Sequence, residues 1–212
     1  PSLETTNELM RQCDLVLATG GGAMVHAAYS SGSPALGVGV GNAVITVDDT
    51  ADLDAAAEKI RLSKTLDLAA SCSSDNSVVL LDGIYEPMLE KLKAQGGYLC
   101  NVEEKAALRN TLWDEELHLN TAIVAQPPEK IAQMAGLSIP EETKFFIVPE
   151  DGWGPEHPFS GEKLSVIMAL YRARDIDHAI ELTQNIQAYQ GQGHSCGIYS
   201  NNDENIMKLA EN

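Results

Sequence analysis

Short apolar runs, each too brief for a helix, recur along this chain between amphipathic stretches and glycine turns. The first is Asp14-Leu-Val-Leu-Ala18, ended by Thr19-Gly20-Gly21-Gly22, after which residues 23–29 resume helical character. A turn at Ser31-Gly32-Ser33-Pro34 leads into Ala35-Leu-Gly-Val-Gly-Val-Gly-Asn42 and then Ile45-Thr-Val47. Uninterrupted apolar runs of this length suit strands buried on both faces. The order strand, glycine turn, helix, strand is that of a parallel sheet. The pattern continues with helices over 53–63, 85–95, 102–112, 128–135, 175–188 and 203–211. Strands are predicted at 77–81, 144–148, 164–171 and 198–199, with Ser2 capping an opening helix. The predicted fold class is α/β, a mostly parallel sheet flanked by helices.

Composition narrows what such a fold can do. The 212 residues carry 14 Lys and Arg against 31 Asp and Glu, a formal charge of −17. That length fits one large domain or one and a half. A chain so acidic lacks the positive stripe that nucleic acid requires. No apolar run approaches the roughly 18–20 residues of a membrane span. The chain opens with Pro1 rather than Met, so the lack of a visible targeting segment carries little weight. The cysteines, Cys13, Cys72, Cys100 and Cys196, form no CxxC pair, which points to free thiols in a reducing, cytoplasmic setting. His26, His118, His157 and His178 show no metal-ligand spacing, and no metal is expected.

Cys72 is the most informative thiol. Ser71, Ser73 and Ser74 flank it, directly before a predicted strand, where backbone N–H groups can favour a thiolate or hold an oxyanion. Buried filler is the alternative. Gly20–Gly22 and the glycines from Gly37 to Gly41 let a backbone approach a phosphate or cofactor ring, or simply make tight turns, and neither fits GxGxxG. His194, in Gln190-Gly-Gln-Gly-His-Ser-Cys-Gly197, is placed to face a cleft. Glu162 stands in Phe159-Ser-Gly-Glu-Lys-Leu-Ser165, just before a predicted strand.

Together these segments resemble the CoA-acylating branch of the aldehyde dehydrogenase superfamily, over essentially the whole chain. The stretches that carry the resemblance are Ala18-Thr-Gly-Gly21, Met24-Val-His-Ala-Ala-Tyr-Ser-Ser-Gly32, Pro34-Ala-Leu-Gly-Val-Gly39, Ser63-Lys-Thr65, Cys72-Ser-Ser74, Phe159-Ser-Gly-Glu-Lys-Leu-Ser165 and Gly193-His-Ser195. Val166 departs from the proline that relatives usually carry there.

The resemblance implies that residues 1–47 end a Rossmann-type NAD(P)-binding domain. Residues 48–212 would then form the catalytic thiol domain, with a cofactor-contacting loop near 159–166. It implies that Cys72 is the nucleophile, forming a thiohemiacetal and then a thioester. Glu162 corresponds to the glutamate that holds the nicotinamide ribose, Thr19, Gly20 and Gly21 to the loop approaching the cofactor, and His194 to a histidine of the acylating branch. Gly37 stands where hydrolytic members carry a water-activating glutamate, so CoA rather than water is the implied acyl acceptor. The cofactor would be NAD or NADP, with CoA as co-substrate. The nucleophile loop most resembles that of enzymes acting on sulfoacetaldehyde; acetaldehyde or propionaldehyde, a hydrolytic reaction, and a non-catalytic nucleotide-binding or assembly module remain alternatives. The family's N-terminal part and C-terminal end are expected to be missing, leaving this chain nearly inactive alone. The full-length protein would be a homo-oligomer.

Overall fold

In the computed structural model, which describes residues 2–212, the strand pattern resolves into two sheets. The first belongs to a small unit ending at Gly41. It contains helix α1 (Leu3–Arg11), strand β1 (Val16–Thr19), helix α2 (Gly22–Tyr29) and strand β2 (Ala35–Val38). Ser2 Oγ accepts the Thr5 N–H and starts α1 as expected. β1 and β2 pair in parallel, with Ala18 opposite Gly37. A Cβ at Gly37 would stand 2.7 Å from Val25 Cγ1 and 2.9 Å from Tyr29 Cε2. The Gly37 N–H instead donates to Tyr29 Oη at 3.0 Å, so glycine is what lets α2 lie against β2.

The second unit runs from Asn42 to Asn212 and holds six strands in the order β5-β6-β7-β4-β3-β8, all parallel. They are β3 (Ala43–Val47), β4 (Asp75–Leu81), β5 (Gly97–Leu99), β6 (Phe145–Pro149), β7 (Ile167–Ala173) and β8 (Cys196–Tyr199). The connecting helices are α3 (Leu53–Thr65), α4 (Tyr85–Ala94), α5 (Val102–Leu112), α6 (Pro128–Ala135), α7 (Ile176–Tyr189) and α8 (Asp203–Ala210). Every residue of β4 is buried, as a central parallel strand covered on both faces must be. Asp52, Asn101, Asp175 and Asn202 cap α3, α5, α7 and α8 through their side chains.

Three differences from the sequence expectation have physical causes. The units divide after Gly41, not after residue 47, because β3 pairs with β4 and β8 in the larger sheet. An apolar run interrupted by glycines gives no sign of which sheet each half joins. Residues 97–99, where no strand is predicted, form the short edge strand β5, with Gly97 beside Phe145 of β6. β7 starts at Ile167, later than expected, because Leu164 takes a left-handed φ of 45° and its carbonyl accepts the Ala125 N–H.

The core gathers around β6, β7 and β4, with Phe145, Phe146, Ile167 and Met168 fully buried. Among the described residues no helix is long and apolar enough to cross a membrane. Phe146 also meets the Tyr98 ring edge-on at 6.1 Å. Phe146→Ala is expected to lower unfolding free energy by about 3–5 kcal/mol, measured by urea denaturation.

Candidate functional site

Because the strands of the larger sheet all run one way, the loops that enter them share one edge. Cys72 lies just before β4, Glu162 before β7, and His194 before β8, while Asn42 immediately precedes β3. β7, β4, β3 and β8 are neighbours in that order, so four loops converge.

Cys72 follows a turn that no glycine relieves. Asp67, Leu68 and Ala69 hold left-handed φ values of 47°, 54° and 59°. Such a conformation costs an L-residue about 1–2 kcal/mol and is sustained only by its surroundings. Those surroundings are α3 behind it and β4 ahead, joined where the Asp75 N–H donates to Ser63 Oγ at 3.0 Å. Beyond the turn Cys72 is exposed. Ser71 Oγ and Ser73 Oγ lie 2.9 Å apart beside it.

His194 Nε2 is 3.3 Å from Cys72 Sγ, and its Nδ1 is 2.9 Å from Ser195 Oγ. The ring is thus held at both nitrogens, one by the thiol and the other by a hydroxyl that can donate or accept. That arrangement can move the thiol proton to imidazole and back. The other thiols differ. Cys100 is buried and burial, then the Glu104 charge, pushes it up to about 12. Cys13 is half-buried near the end of α1, and Cys196 is exposed but opens β8 opposite Val44.

Glu162 is half-buried, with its N–H donating to Gln190 Oε1 at 3.0 Å, which ties its loop to the turn carrying His194. Its neighbour Lys163 is fully buried and donates to Phe159 O at 2.6 Å and Gly161 O at 2.9 Å. Beneath the edge lie two buried ionisable groups whose nearness sequence reasoning did not single out. Lys64 is buried and lowered to about 7 by desolvation, which Asp75 and Glu162 oppose. Asp75 is raised to about 6 by desolvation, opposed by Ser63 and Lys64. A lysine and an aspartate at opposite ends of a serine-rich loop offer no distinctive spacing, so only the fold unites them.

Thr19, Gly20, Gly21 and Gly37 belong to the smaller unit. Gly21 caps α2 without a side chain, and nothing lies within 4 Å of a Cβ built on Gly21 or Gly22. The Met24 N–H turns back to Gly21 O at 2.9 Å, while the space around Gly21 and Gly22 is open to an anionic group such as a nucleotide pyrophosphate, and no acidic residue of the first turn opposes one. These residues fit an NAD(P) cofactor, whereas Gly37 is accounted for by packing against α2. Elsewhere, ligand atoms of Glu150, Asp151 and His157 lie within 4.8 Å of one another. Glu150 Oε1 is already engaged by Lys105 Nζ at 3.0 Å and His157 Nδ1 at 2.8 Å, an ion-pair network rather than an open cation site.

Similarity to known proteins spans the chain. It is 44% identical over 212 residues to the sulfoacetaldehyde dehydrogenase (acylating) of Cupriavidus necator, covering 99% of this chain and 43% of that protein. Identity is 43% to the bifunctional aldehyde-alcohol dehydrogenase of Escherichia coli, covering 99% of this chain and 24% of the relative. The crystal structure of an acetylating aldehyde dehydrogenase from Geobacillus thermoglucosidasius superposes with a TM-score of 0.93 at 40% identity, covering 98% of this chain and 46% of that one. The chain thus spans less than half the length of these relatives. No protein-family model matches it.

Two outcomes follow from the geometry. His194→Ala is expected to slow iodoacetamide alkylation of Cys72 at neutral pH by about tenfold, leaving Cys196 unchanged, as read by peptide mass spectrometry. Asp75 keeps its proton in the folded state up to about pH 6, above the ordinary carboxyl value of 3.8. Its stabilising contribution is therefore present at acid pH and lost as pH rises through that window. Relative to Asp75→Asn, the native protein should lose up to about 3 kcal/mol of unfolding free energy between about pH 4 and 6, measured by urea melts.

Proposed function

We propose that this chain, which matches acylating aldehyde dehydrogenases in sequence and fold along its whole length, carries the acyl-transfer centre of such an enzyme. The single observation that carries the proposal is the contact of His194 Nε2 with the exposed Cys72 Sγ at 3.3 Å. In this scheme the unit from Asn42 onward is the thiol domain, and the unit up to Gly41 contributes to nucleotide binding through Thr19, Gly20 and Gly21. Glu162 would hold the nicotinamide ribose from the loop before β7. The cofactor is NAD or NADP.

His194 takes the Cys72 proton, and the sulfur adds to the aldehyde carbon to give a thiohemiacetal. A bound nicotinamide supplies the acceptor for the hydride that must leave this carbon. Cys72 is left as a thioester. His194 then gives up the first proton to solvent, the thiol of CoA donates its own proton to the freed imidazole and attacks the acyl carbon, and the Cys72 sulfur leaves as thiolate. Ser195 keeps the imidazole oriented for both proton transfers. Gly37, at the position where hydrolytic relatives carry a glutamate, supplies no base for water, so the thioester awaits the more nucleophilic thiol.

Sulfoacetaldehyde is the proposed substrate. The paired hydroxyls of Ser71 and Ser73 flank Cys72 and can donate to sulfonate oxygens. The likeness to an acetylating aldehyde dehydrogenase and to a propionaldehyde dehydrogenase keeps acetaldehyde and propionaldehyde as the second candidates. A reducing compartment, the cytoplasm, suits four free thiols.

The test uses the whole protein that carries this sequence. Sulfoacetaldehyde, acetaldehyde and propionaldehyde are each assayed with NAD or NADP, with and without CoA. Acyl-CoA formation should require CoA, with the highest kcat/KM for sulfoacetaldehyde, and Cys72→Ser should lower kcat by about 10³-fold or more. Acid production without CoA would reject the acylating scheme, and a preference for acetaldehyde would reject the substrate. No turnover with any aldehyde would favour a non-catalytic module.

A further inference from the structure

Two buried amides, Asn42 and Asn76, stand behind the Cys72–His194 pair, and the chemistry above uses neither. The β3–β4 ladder explains how Asn76 comes to point where it does. Asp75 pairs with Ala43 and Ser77 with Val44, so Asn76 is an extra residue at a β-bulge. Bulges re-aim a side chain away from the regular pleat. Here the Asn76 Nδ2 donates to Asn42 Oδ1 at 2.6 Å and to Gly161 O at 2.7 Å.

Asn42 continues the chain of contacts. Its Nδ2 donates to Ser160 O at 2.8 Å and Gln190 O at 3.1 Å. Backbone carbonyls can only accept, so these partners fix which way the Asn42 amide faces. Gly191 permits the approach: a Cβ there would stand 2.5 Å from Asn42 Cβ, on a backbone with φ of +86°. Gln190, gripped through its carbonyl, holds the Glu162 N–H through its side chain. Gln187, on α7, donates to Ser195 O at 2.6 Å, next to His194.

The two amides therefore join three loops from beneath, alongside the Glu162–Gln190 bond that links two of them. Asn76 continues from the Cys72 loop, Ser160 and Gly161 precede Glu162, and Gln190 and Gly191 precede His194. We infer that the Asn42–Asn76 amide pair is a positioning device that sets the Cys72–His194 contact and aligns the Glu162 loop with it. The inference deepens the acyl-transfer proposal and rests on it. Asn42 and Asn76 are positioning residues, reached by neither substrate nor cofactor.

The test is a double-mutant cycle on the rate of Cys72 alkylation, in the whole protein carrying this sequence. Asn76→Leu keeps the branched shape and removes both donated bonds. It is expected to slow alkylation by about fivefold or more when His194 is present. In a His194→Ala background it should change the rate little, because the contact it positions is already gone. A purely structural role would lower unfolding stability and leave the alkylation rate unmoved, or act equally in both backgrounds, and either result overturns the inference. If His194→Ala alone leaves Cys72 alkylation unchanged, the thiol–imidazole proposal fails instead, so the two failures are distinguishable. Should Asn76→Leu not fold, Asn76→Ser, which leaves room for water, is read in the same cycle with the same outcomes.

Discussion

The common direction of the strands is the constraint on which the site depends. In an all-parallel sheet each strand is entered from the same edge, and the return journey is made by a helix. Residues far apart in the chain, Asn42, Cys72, Glu162 and His194, therefore reach one edge because β3, β4, β7 and β8 begin there. Open parallel sheets commonly place their ligands at the opposite, carboxyl edge. In the proposed scheme the smaller unit would follow that habit, with Thr19–Gly21 at the end of β1, whereas Cys72 and His194 lie at the leading edge of the larger sheet.

A leading edge of a buried sheet is a costly place for polar groups, and the structure meets that cost in two ways. Donors are matched to backbone carbonyls, as Lys163 does with Phe159 and Gly161, and as Asn42 does with Ser160 and Gln190. Charges are set against each other, as Lys64 is with Asp75 and Glu162. The left-handed run from Asp67 to Ala69 fits the same logic, because strain can persist only where neighbours over-determine it. Rigid support below and an exposed sulfur above is the combination a nucleophile needs: fixed geometry with open access.

Much of the fold was legible. The helices at Val102–Leu112 and Pro128–Ala135 have the bounds their patterns gave, since Asn101 and the proline at the first helical turn are strong start signals. Strands were less sharply readable. Gly97–Leu99 is too short to register as a strand, and the start of β7 depends on a left-handed Leu164 that no local preference announces. The division at Gly41 was hidden inside one apolar stretch. In the site, Cys72 and His194 stood out through their glycine and serine surroundings. Asn76 did not, and Lys64 was visible only within the Ser63–Thr65 stretch of the resemblance, because a bulge and the approach of buried charged groups are set by strand register and helix packing rather than by neighbouring residues. Asn42, at the end of a glycine run, was visible as a residue but not as a contact.

The central claim is that Cys72 carries an acyl group that CoA, and not water, removes. It is tested most directly by incubating the whole protein carrying this sequence with an acyl-CoA and no nucleotide, then following the Cys72 peptide by mass spectrometry. Acyl transfer should release free CoA and leave one acyl group on Cys72. That adduct should persist in buffer and disappear when CoA is added. An acyl group found elsewhere, or one that water removes from Cys72 as fast as CoA does, would contradict the account.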